Sequence, residues 1–328
     1  MTGLSLGEIH EAYARIQKYV VRTPLVFSDA LSKISGKEIY LKLENKQHTN
    51  TFKFRGALNK IAMLSSKDKQ KGIVTASSGN HAQGVARAAQ ILGISATIFV
   101  PESVSQLKLE RLQQYNVEIV RRGEFDQVES QAREYGEVHG LVYISPYNDF
   151  DVMAGQGTIA LEIDEELQDF DSIIIPVGGG GLISGISVVV KTLHPRRQVL
   201  GVLTPGASTM HVSLKAGKIV QVEEFDTLAE AFLGGIEEDA LTFDVIRKYV
   251  DDVVIVQEES VAEAIRLLWY DEKQVVEGAG ATSSALVLER SDLIEGDRVV
   301  VIVSGGNISD SLFSKVIGQK EDRGSIKI

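Results

Sequence analysis

Four consecutive glycines, Gly178 to Gly181, lie between the apolar run Ser172–Val177 and a helix-like stretch that begins at Leu182. This order predicts a strand, a loop without side chains, and then a helix. The unhindered N–H groups of such a loop can converge on an anion, and the dipole of the following helix adds positive potential. The sequence therefore predicts a site for a phosphorylated ligand, whose identity the glycines alone leave open.

Two common nucleotide-binding motifs do not fit this loop. A dinucleotide site has the pattern GxGxxG and an acidic residue roughly 20 positions later, at the end of the next strand. Counted from Gly179, the third glycine position is Ser184, and the next strand-like run is followed by Thr204 instead of an acid. A Walker A loop needs Gly-Lys before Ser or Thr, but the Gly-Lys pairs here precede Glu38 and Ile219. The loop is therefore predicted to hold a single phosphate on a ligand that is neither NAD nor ATP.

Composition narrows the functional classes. The chain has 328 residues, which is enough for one large domain or two packed ones. A formal net charge of -11 disfavours nucleic acid or an anionic membrane as the main partner. The absence of cysteine rules out disulfides and thiolate chemistry. Neither a membrane span nor a signal peptide is evident from the apolar runs, so we expect a cytoplasmic protein.

Short β-rich runs alternate with helical segments along the chain. The predicted strands are Glu38–Leu43, Ile73–Ala76, Ile94–Val100, Val117–Val120, Leu141–Ile144, Ser172–Val177, Val199–Leu203, Asp252–Val256 and Arg298–Val303. The predicted helices are Ala82–Leu92, Gln106–Tyr115, Glu124–Glu137, Ala154–Leu167, Leu182–Leu193 and Ser260–Glu272. Such alternation is typical of an α/β fold in which helices cover parallel sheets on both faces.

Three further loops contain residues that a simple turn does not need, and the first contains a lysine between two aromatic residues. In open parallel sheets, ligands bind beyond the carboxyl ends of the strands, where these loops are expected. Lys53 lies between Phe52 and Phe54. Flanking rings can partly desolvate an ammonium group, which lowers its pKa and makes it a nucleophilic amine. The alternative is a surface lysine on a short amphipathic helix.

The second loop, Ala76–Gly84, reads ASSGNHAQG and lies between a strand and a helix. Ser77, Ser78 and Asn80 can cap that helix, and its free N–H groups suit a carboxylate. The alternative is simple N-capping, but one such residue suffices for a cap. His81 alone indicates nothing more than a residue at the start of a helix.

The third loop is SGGN at Ser304–Asn307, directly after the predicted strand Arg298–Val303. Ser304 is expected at the strand tip with its hydroxyl in the crevice, although an ordinary turn is the alternative. Together, the loops offer an amine, a phosphate cradle, a carboxylate-binding helix start and a lone hydroxyl. Pyridoxal 5'-phosphate, an aldehyde with one phosphate and a ring nitrogen, would use all four when acting on amino acids.

The order and spacing of these motifs resemble the fold-type II pyridoxal-phosphate enzymes of the threonine/serine dehydratase and serine racemase group. The resemblance extends from about Leu25 to Ile308. The matching segments are Leu41–Ala57, Ser77–Gly84, Ala154–Ile163, Pro176–Gly185 and Val303–Asn307. It implies two open, twisted, mostly parallel sheets flanked by helices. It also implies a large cofactor-binding domain of residues 1–51 plus 147–328, a small mobile domain of residues 52–146, and a homodimer or homotetramer.

The resemblance also implies a role for each candidate residue. Lys53 would link covalently to the cofactor aldehyde. The implied cofactor contacts are Phe52 near the pyridine ring, Asn80 at the phenolic oxygen, Gly178, Gly179, Gly180 and Gly181 at the phosphate, and Ser304 at the ring nitrogen. The implied contacts with the substrate carboxylate are Ser77, Ser78, Asn80 and His81. In racemases of this group, the serine that matches Ser78 is the acid and base on the face opposite the lysine.

The implied reaction is dehydration of a β-hydroxy amino acid, such as L-threonine or L-serine, to a 2-oxo acid and ammonia. Lys53, as a neutral amine, would remove the Cα proton. A neutral hydroxyl at Ser304 deepens the electron sink less than a carboxylate would, which favours prompt loss of a β group. A serine or aspartate racemase is the alternative within the group. A non-catalytic nucleotide-binding module is the alternative from another class, and Lys53 opposes it.

Three segments depart from the family pattern. The usual Gly-Ser before Phe-Lys is Asn50-Thr51 here. Thr204 stands where many relatives have a glutamate that binds a divalent cation, so we expect no metal site. The segment Thr227–Ile236 differs from that of threonine-specific members. Asn50-Thr51 and the segment Thr227–Ile236 resemble a subgroup that acts on other β-hydroxy amino acids, such as the hydroxyectoine-utilisation dehydratases.

Overall fold

The computed structural model of the chain describes residues 3–125 and 127–318. The strands within these residues are β1 Leu25–Phe27, β2 Glu38–Leu43, β3 Ile73–Ala76, β4 Ala96–Val100, β5 Glu118–Arg121, β6 Val142–Tyr143, β7 Ser172–Pro176, β8 Gln198–Leu203, β9 Asp252–Ile255 and β10 Arg298–Val303. The α-helices are α1 Leu6–Ile16, α2 Asp29–Ser35, α3 Lys53–Met63, α4 Ser66–Lys71, α5 Asn80–Leu92, α6 Gln106–Gln113, α7 Val128–His139, α8 Phe150–Glu166, α9 Gly181–Leu193, α10 Thr209–Ala216, α11 Leu241–Tyr249, α12 Glu258–Tyr270, α13 Gly278–Glu289 and α14 Asp310–Gly318.

The strands form two sheets. One has six strands in the order β1-β2-β10-β7-β8-β9, and the other has four in the order β5-β4-β3-β6. Only β1 and β2 pair antiparallel, and every other pair among the described strands is parallel. The predicted α/β class with two mostly parallel sheets is therefore confirmed.

Helices cover the six-stranded sheet on both faces, as the side chains of β10 show. Val300 and Ile302 enter one hydrophobic cluster. Val299, Val301 and Val303 enter another. Because side chains alternate across a strand, burial on both faces requires this continuous apolar run. The register pairs Val303 with the last residue of β2, so the loops that follow these two strands lie side by side.

Most predicted elements are confirmed, with shifts at their ends. The strands Glu38–Leu43, Ile73–Ala76 and Arg298–Val303 have the predicted bounds. The helix predicted from Glu124 begins only at Val128. Sequence analysis missed several helices, of which α13 is the most buried. Its own residues are small or apolar on every face, so the sequence has no amphipathic period there.

Two predictions concern larger features. Among residues 3–125 and 127–318, no helix is both long and apolar enough to cross a membrane. The four-stranded sheet lies within the range predicted for the small domain, and the six-stranded sheet is built from strands outside that range. The division into domains stays a prediction, and its extreme ends, residues 1–2 and 319–328, lie outside the described part of the chain.

Candidate active site

Two of the predicted loops are joined by backbone pairing. Thr51 forms an isolated antiparallel bridge with Gly305. The Phe52 N–H donates to the Ser304 carbonyl at 3.2 Å. Lys53, the next residue, begins α3. The lysine loop and the loop after β10 therefore meet at one place, with Ser304 buried at 3% exposure.

Asn50 gives a physical reason for one departure from the family pattern. Its φ of 54° lies in the left-handed region, where glycine is unstrained and asparagine is better tolerated than most residues. Its carbonyl accepts a hydrogen bond from the Gly306 N–H at 2.9 Å. Asn50 therefore keeps a turn that glycine makes without strain.

Lys53 is partly buried and hydrogen-bonded within the chain. Its Nζ donates to the Pro146 carbonyl at 2.9 Å and lies 5.2 Å from the centroid of the Phe52 ring. Burial lowers the pKa of Lys53 to about 8, against the opposing charge of Glu277. The start of a helix also disfavours a cation. The pKa of Lys53 is thus lowered, as expected from the sequence. Only Phe52 of the two flanking rings lies beside the amine, because Phe54 packs in the hydrophobic core.

Close helix packing fixes the start of α3. A Cβ on Gly84 of α5 would lie 3.0 Å from the backbone of Lys53. A Cβ on Gly155 of α8 would lie 2.6 Å from the carbonyl oxygen of Arg55. The distance at Gly155 is shorter than real Cβ contacts and that at Gly84 is tighter than most, so both neighbouring helices approach α3 through glycine. The glycine-containing motifs of α5 and α8 therefore position the helix that carries the lysine.

The tetraglycine loop connects β7 to α9, as predicted. Gly180 has a φ of 89° and precedes the first helical residue, Gly181. A Cβ on Gly179 would lie 2.4 Å from the Tyr147 ring, and one on Gly180 would lie 2.7 Å from Ile246. Both backbone conformation and packing therefore require glycine in this loop.

The tetraglycine loop and the start of α9 have backbone N–H groups available to an anion. The Thr242 hydroxyl donates to the Gly179 carbonyl at 2.7 Å. Since C=O and N–H point in opposite directions in a trans peptide, the Gly180 N–H faces away from Thr242. The first N–H groups of α9 also lack intrahelical partners, and the helix dipole favours negative charge there. A Cβ on Gly178 would lie 3.2 Å from Phe232, so this side of the cradle is closely packed too.

The loop between β3 and α5 has its expected place. Ser77, Ser78 and Asn80 are all partly buried. The Ser77 hydroxyl accepts a hydrogen bond from the Gly79 N–H at 3.2 Å. No side chain caps the first turn of α5, so the capping considered for Ser77, Ser78 and Asn80 is absent and Gly79 is the N-cap residue. The N–H groups of this turn suit a carboxylate, and that role stays a prediction.

His81 lies in the first turn of α5 and is 3% exposed. Its Nε2 donates to the Ile144 carbonyl at 2.9 Å, because a carbonyl can only accept. Burial and the charge of Lys53 lower the pKa of His81 to about 3. The ring is therefore neutral near physiological pH, and its predicted place near the substrate carboxylate stays a prediction.

Asn80 connects two predicted loops to a residue that sequence analysis missed. Its Nδ2 donates to Glu277 Oε1 at 2.6 Å, and its Oδ1 accepts from Asn307 Nδ2 at 2.7 Å. Glu277 directly precedes α13, and burial raises its pKa to about 7. The one sequence signal for it is an acidic residue immediately before the small-residue run Gly278–Ala281.

The departure at Thr204 is also explained by local contacts. The Thr204 hydroxyl is hydrogen-bonded to that of Thr227 at 2.8 Å, and Thr227 donates to Glu258 at 2.6 Å. In the described ranges, 3–125 and 127–318, no group of three or more His, Asp or Glu side chains could hold a metal ion. The expectation that the chain uses no metal stays a prediction.

The site fits an aldehyde cofactor with one phosphate. Lys53 offers a desolvated amine, and the tetraglycine loop offers backbone donors for the phosphate. Asn80 and Ser304 add neutral polar groups from two other loops. The individual roles predicted for these residues remain predictions, but the groups that the chemistry needs lie on loops that contact one another.

Comparison with known proteins gives a consistent result. A family profile described as pyridoxal-phosphate dependent enzyme matches residues 16–305. L-threonine ammonia-lyase of Thermotoga maritima is 44% identical over 317 residues, covering 96% of this chain and 79% of that protein. L-threonine dehydratase catabolic TdcB of Staphylococcus aureus is 40% identical over 319 residues, covering 96% of this chain and 92% of that protein. The solved structure of maize serine racemase superposes with a TM-score of 0.91 at 34% identity, covering 97% of this chain and 98% of that chain.

Proposed function

The chain belongs to the pyridoxal-phosphate dependent enzymes, and from that premise we propose that it is a dehydratase of a β-hydroxy amino acid. This ammonia-lyase would convert a substrate such as L-threonine or L-serine to a 2-oxo acid and ammonia. Two relatives similar over nearly the whole chain are a threonine ammonia-lyase and a threonine dehydratase. The predicted lyase activity and cofactor agree with both.

The observation that carries the proposal is the state of Lys53. Its amine is desolvated, its pKa is lowered to about 8, and its segment pairs with the loop that holds Ser304. When bound, pyridoxal phosphate supplies an aldehyde that condenses with amines and a ring that accepts electrons. Lys53 holds the cofactor and, once free and neutral, takes the proton from the substrate Cα.

The remaining residues bind and orient. Gly178 to Gly181 hold the phosphate, and the start of α5 at Asn80 holds the substrate carboxylate. Ser304 would offer the ring nitrogen a neutral hydroxyl, which cannot keep that nitrogen protonated as a carboxylate would. A Cα carbanion would then be less delocalised, which favours prompt loss of the β-hydroxyl and suits elimination better than transamination.

The test is to incubate the purified, cofactor-loaded protein with L-threonine, L-serine and larger β-hydroxy amino acids, and to measure 2-oxo acid and ammonia. We expect equal amounts of both products from at least one substrate. Lys53→Ala should lose activity and the borohydride-fixed cofactor while keeping its circular dichroism. Lys46→Ala, which removes an exposed lysine, is the control and should retain both. Full activity of Lys53→Ala would refute the proposal.

Racemization is the second candidate, because Ser78 lies in the loop before α5 and serine racemase is a close structural neighbour. Chiral analysis of the remaining substrate separates the two activities. Accumulation of D-serine or D-aspartate without 2-oxo acid would replace the dehydratase by a racemase. Ser78→Ala should abolish that accumulation, because it removes the acid on the face opposite Lys53.

Three finer points belong to the same proposal. The protein acts in the cytoplasm on a small-molecule amino-acid substrate, as a homodimer or homotetramer. Residues 52–146 form a small mobile domain against 1–51 plus 147–328. Sedimentation velocity measures the assembly, and a monomer at micromolar concentration would contradict it.

A further inference from the structure

A directed chain of hydrogen bonds surrounds the side chain of Asn80. Asn307 Nδ2 donates to the Thr49 carbonyl at 2.9 Å and to Asn80 Oδ1 at 2.7 Å. Asn80 Nδ2 then donates to Glu277 Oε1 at 2.6 Å. The side-chain amides of Asn307 and Asn80 therefore connect the start of α5 with three other parts of the fold: the segment before α3, the loop after β10 and the residue before α13.

The direction of this chain is fixed by chemistry. A backbone carbonyl only accepts hydrogen bonds, so the Asn307 atom that faces Thr49 must be the amide nitrogen. The same nitrogen faces Asn80, so the Asn80 atom there must be the carbonyl oxygen. The amide nitrogen of Asn80 is left on the side of Glu277. An asparagine flip, often ambiguous, is here determined by its partners.

Glu277 has little freedom to leave its place. Its backbone N–H donates to the Gly305 carbonyl at 3.1 Å. A Cβ on Gly305 would lie 2.3 Å from Glu277 Oε1, so the carboxyl group lies directly against that loop. The charged groups that act on Glu277 from its neighbours are Lys53, Arg111 and Glu230. The carboxyl group of Glu277 therefore lies between the loop after β10 and the start of α5, where it accepts the hydrogen bond from Asn80.

We propose that Glu277 and Asn307 are positioning residues that set the amide orientation of Asn80, so that its second N–H donates to the phenolic oxygen of pyridoxal phosphate. This inference rests on the proposed function and adds to it. Asn80 has two N–H groups, and Glu277 takes one of them. In the opposite orientation, the carbonyl oxygen of Asn80 would face the phenolic oxygen and repel it.

The expected size of the effect follows from the hydrogen bond that is lost. Bonds to charged groups contribute about 1.5–3 kcal/mol, which corresponds to about tenfold to a hundredfold in affinity. Removing Asn307 leaves Glu277 as the remaining partner that orients Asn80, and the protonated form of Glu277 can also donate to the carbonyl oxygen of a flipped amide. Asn307→Ala should therefore weaken cofactor binding about tenfold, without removing any group that itself contacts the phenolic oxygen.

The test measures the Kd of pyridoxine 5'-phosphate for the cofactor-free protein by equilibrium dialysis. This compound has the same ring, phenolic oxygen and phosphate but no aldehyde, so condensation with Lys53 does not contribute. Asn307→Ala and Asn80→Ala should each raise the Kd at least about tenfold. The double variant should bind no more weakly than Asn80→Ala, because Asn307 acts only through Asn80. Fully additive losses, or an unchanged Kd in Asn307→Ala, would overturn the proposal.

Glu277 offers a test by conservative replacement. Glu277→Gln keeps an acceptor oxygen for Asn80 and should bind within about threefold of the unchanged protein, whereas Glu277→Ala should lose at least about tenfold. Equal losses in both variants would show that the charge of Glu277, and not its acceptor, matters. Asn45→Ala is the matched control, because its Nδ2 donates only to Gln274 and Val275 and should leave the Kd unchanged.

The proposed function and the positioning of Asn80 fail in different ways. A protein that binds neither pyridoxal phosphate nor pyridoxine 5'-phosphate would refute the function. A protein that binds both, but whose Kd is insensitive to Asn307→Ala, would refute only the positioning role. Urea midpoints of the cofactor-free variants, measured in parallel, distinguish weak binding from partial unfolding.

Discussion

Glu162→Gln should strongly destabilise the fold, because it unbalances a buried group of four charges. Lys42, Glu44 and Arg55 have side chains that are 0% exposed, and that of Glu162 is 1% exposed. Arg55 bonds Glu44 at 2.8 Å and Glu162 at 2.6 Å, while Lys42 bonds Glu162 at 2.8 Å. Burial alone would lower the pKa of Arg55, but the two carboxylates raise it overall.

The magnitude follows from the loss of one charge among four. Glutamine has the same shape as glutamate, but it leaves Glu44, which pairs with Arg55, as the one carboxylate of this group against two cations. Removing one partner of a buried ion pair typically costs about 3–5 kcal/mol, since the other charge stays desolvated. The pKa of Glu162 supports this assignment: burial raises it, but Arg55 and Lys42 lower it overall, so the native state contains the carboxylate.

The assay is urea unfolding of the cofactor-free protein at pH 7, followed by far-UV circular dichroism. The matched control on the same helix is Glu165→Gln, which breaks the pair with Arg22 whose side chains are 46% and 50% exposed. Such surface pairs contribute at most about 1 kcal/mol. We expect Glu162→Gln to lower the midpoint by about 1 M or more and Glu165→Gln to leave it nearly unchanged. Similar midpoints for the two variants would refute the reasoning.

Three further predictions follow from the site. Gly180→Ala should cost at least about 2 kcal/mol in urea unfolding, because φ is 89° and Ile246 lies 2.7 Å from the new Cβ. Gly217→Ala, with a φ of 71° but open space, should cost only about 1 kcal/mol, and equal losses would contradict the packing argument. Thr242→Val should raise the Kd of pyridoxal phosphate about fivefold, because it releases the Gly179 carbonyl; an unchanged Kd would show that the loop orients itself. Burial raises the folded-state pKa of Glu277 to about 7, so the unchanged protein should lose at most about 3 kcal/mol of stability as the pH rises from 4.5 to 7. Glu277→Gln should not show this loss, and a variant with the same pH slope would contradict its assignment to Glu277.

The sequence predicted the parts of the fold and site that local patterns encode. Arg298–Val303 is an uninterrupted apolar run, so its strand and its burial on both faces could be predicted. Two loops could be predicted from their composition, namely Gly178 to Gly181 and the Ser77–Asn80 segment. Each lies between a strand and a helix of clear period, which places both loops at the carboxyl edge of a sheet.

The parts that sequence analysis missed depend on contacts between distant segments. Lys42, Arg55 and Glu162 lie on three different elements, and none of them shows locally that it is buried. Glu277 precedes a helix without an amphipathic period, and its partner Asn80 is 197 residues away along the chain. Only the tertiary fold makes these polar groups neighbours, because burial and pairing are properties of the packed state.

Lys53 and Glu277 respond to the same burial in opposite directions. Desolvation disfavours either charge, so it lowers the pKa of Lys53 to about 8 and raises that of Glu277 to about 7. Each residue's charge partly offsets the effect on the other, since opposite charges stabilise one another. Their titrations are therefore linked, and the carboxyl group helps decide at which pH the amine becomes a nucleophile.

This linkage predicts that Glu277→Gln makes Lys53 more reactive above pH 7. Below its pKa, Glu277 is neutral and the variant should match the unchanged protein; above it, only the unchanged protein has a carboxylate that keeps Lys53 protonated. Trace acetylation of the cofactor-free protein between pH 6 and pH 9, read by mass spectrometry, measures the neutral fraction of each lysine. Lys60, which lies on the same helix as Lys53 and pairs with Asp149 at the start of α8, serves as the internal reference. Lys53 profiles that superimpose above pH 7 would mean that burial alone sets its pKa.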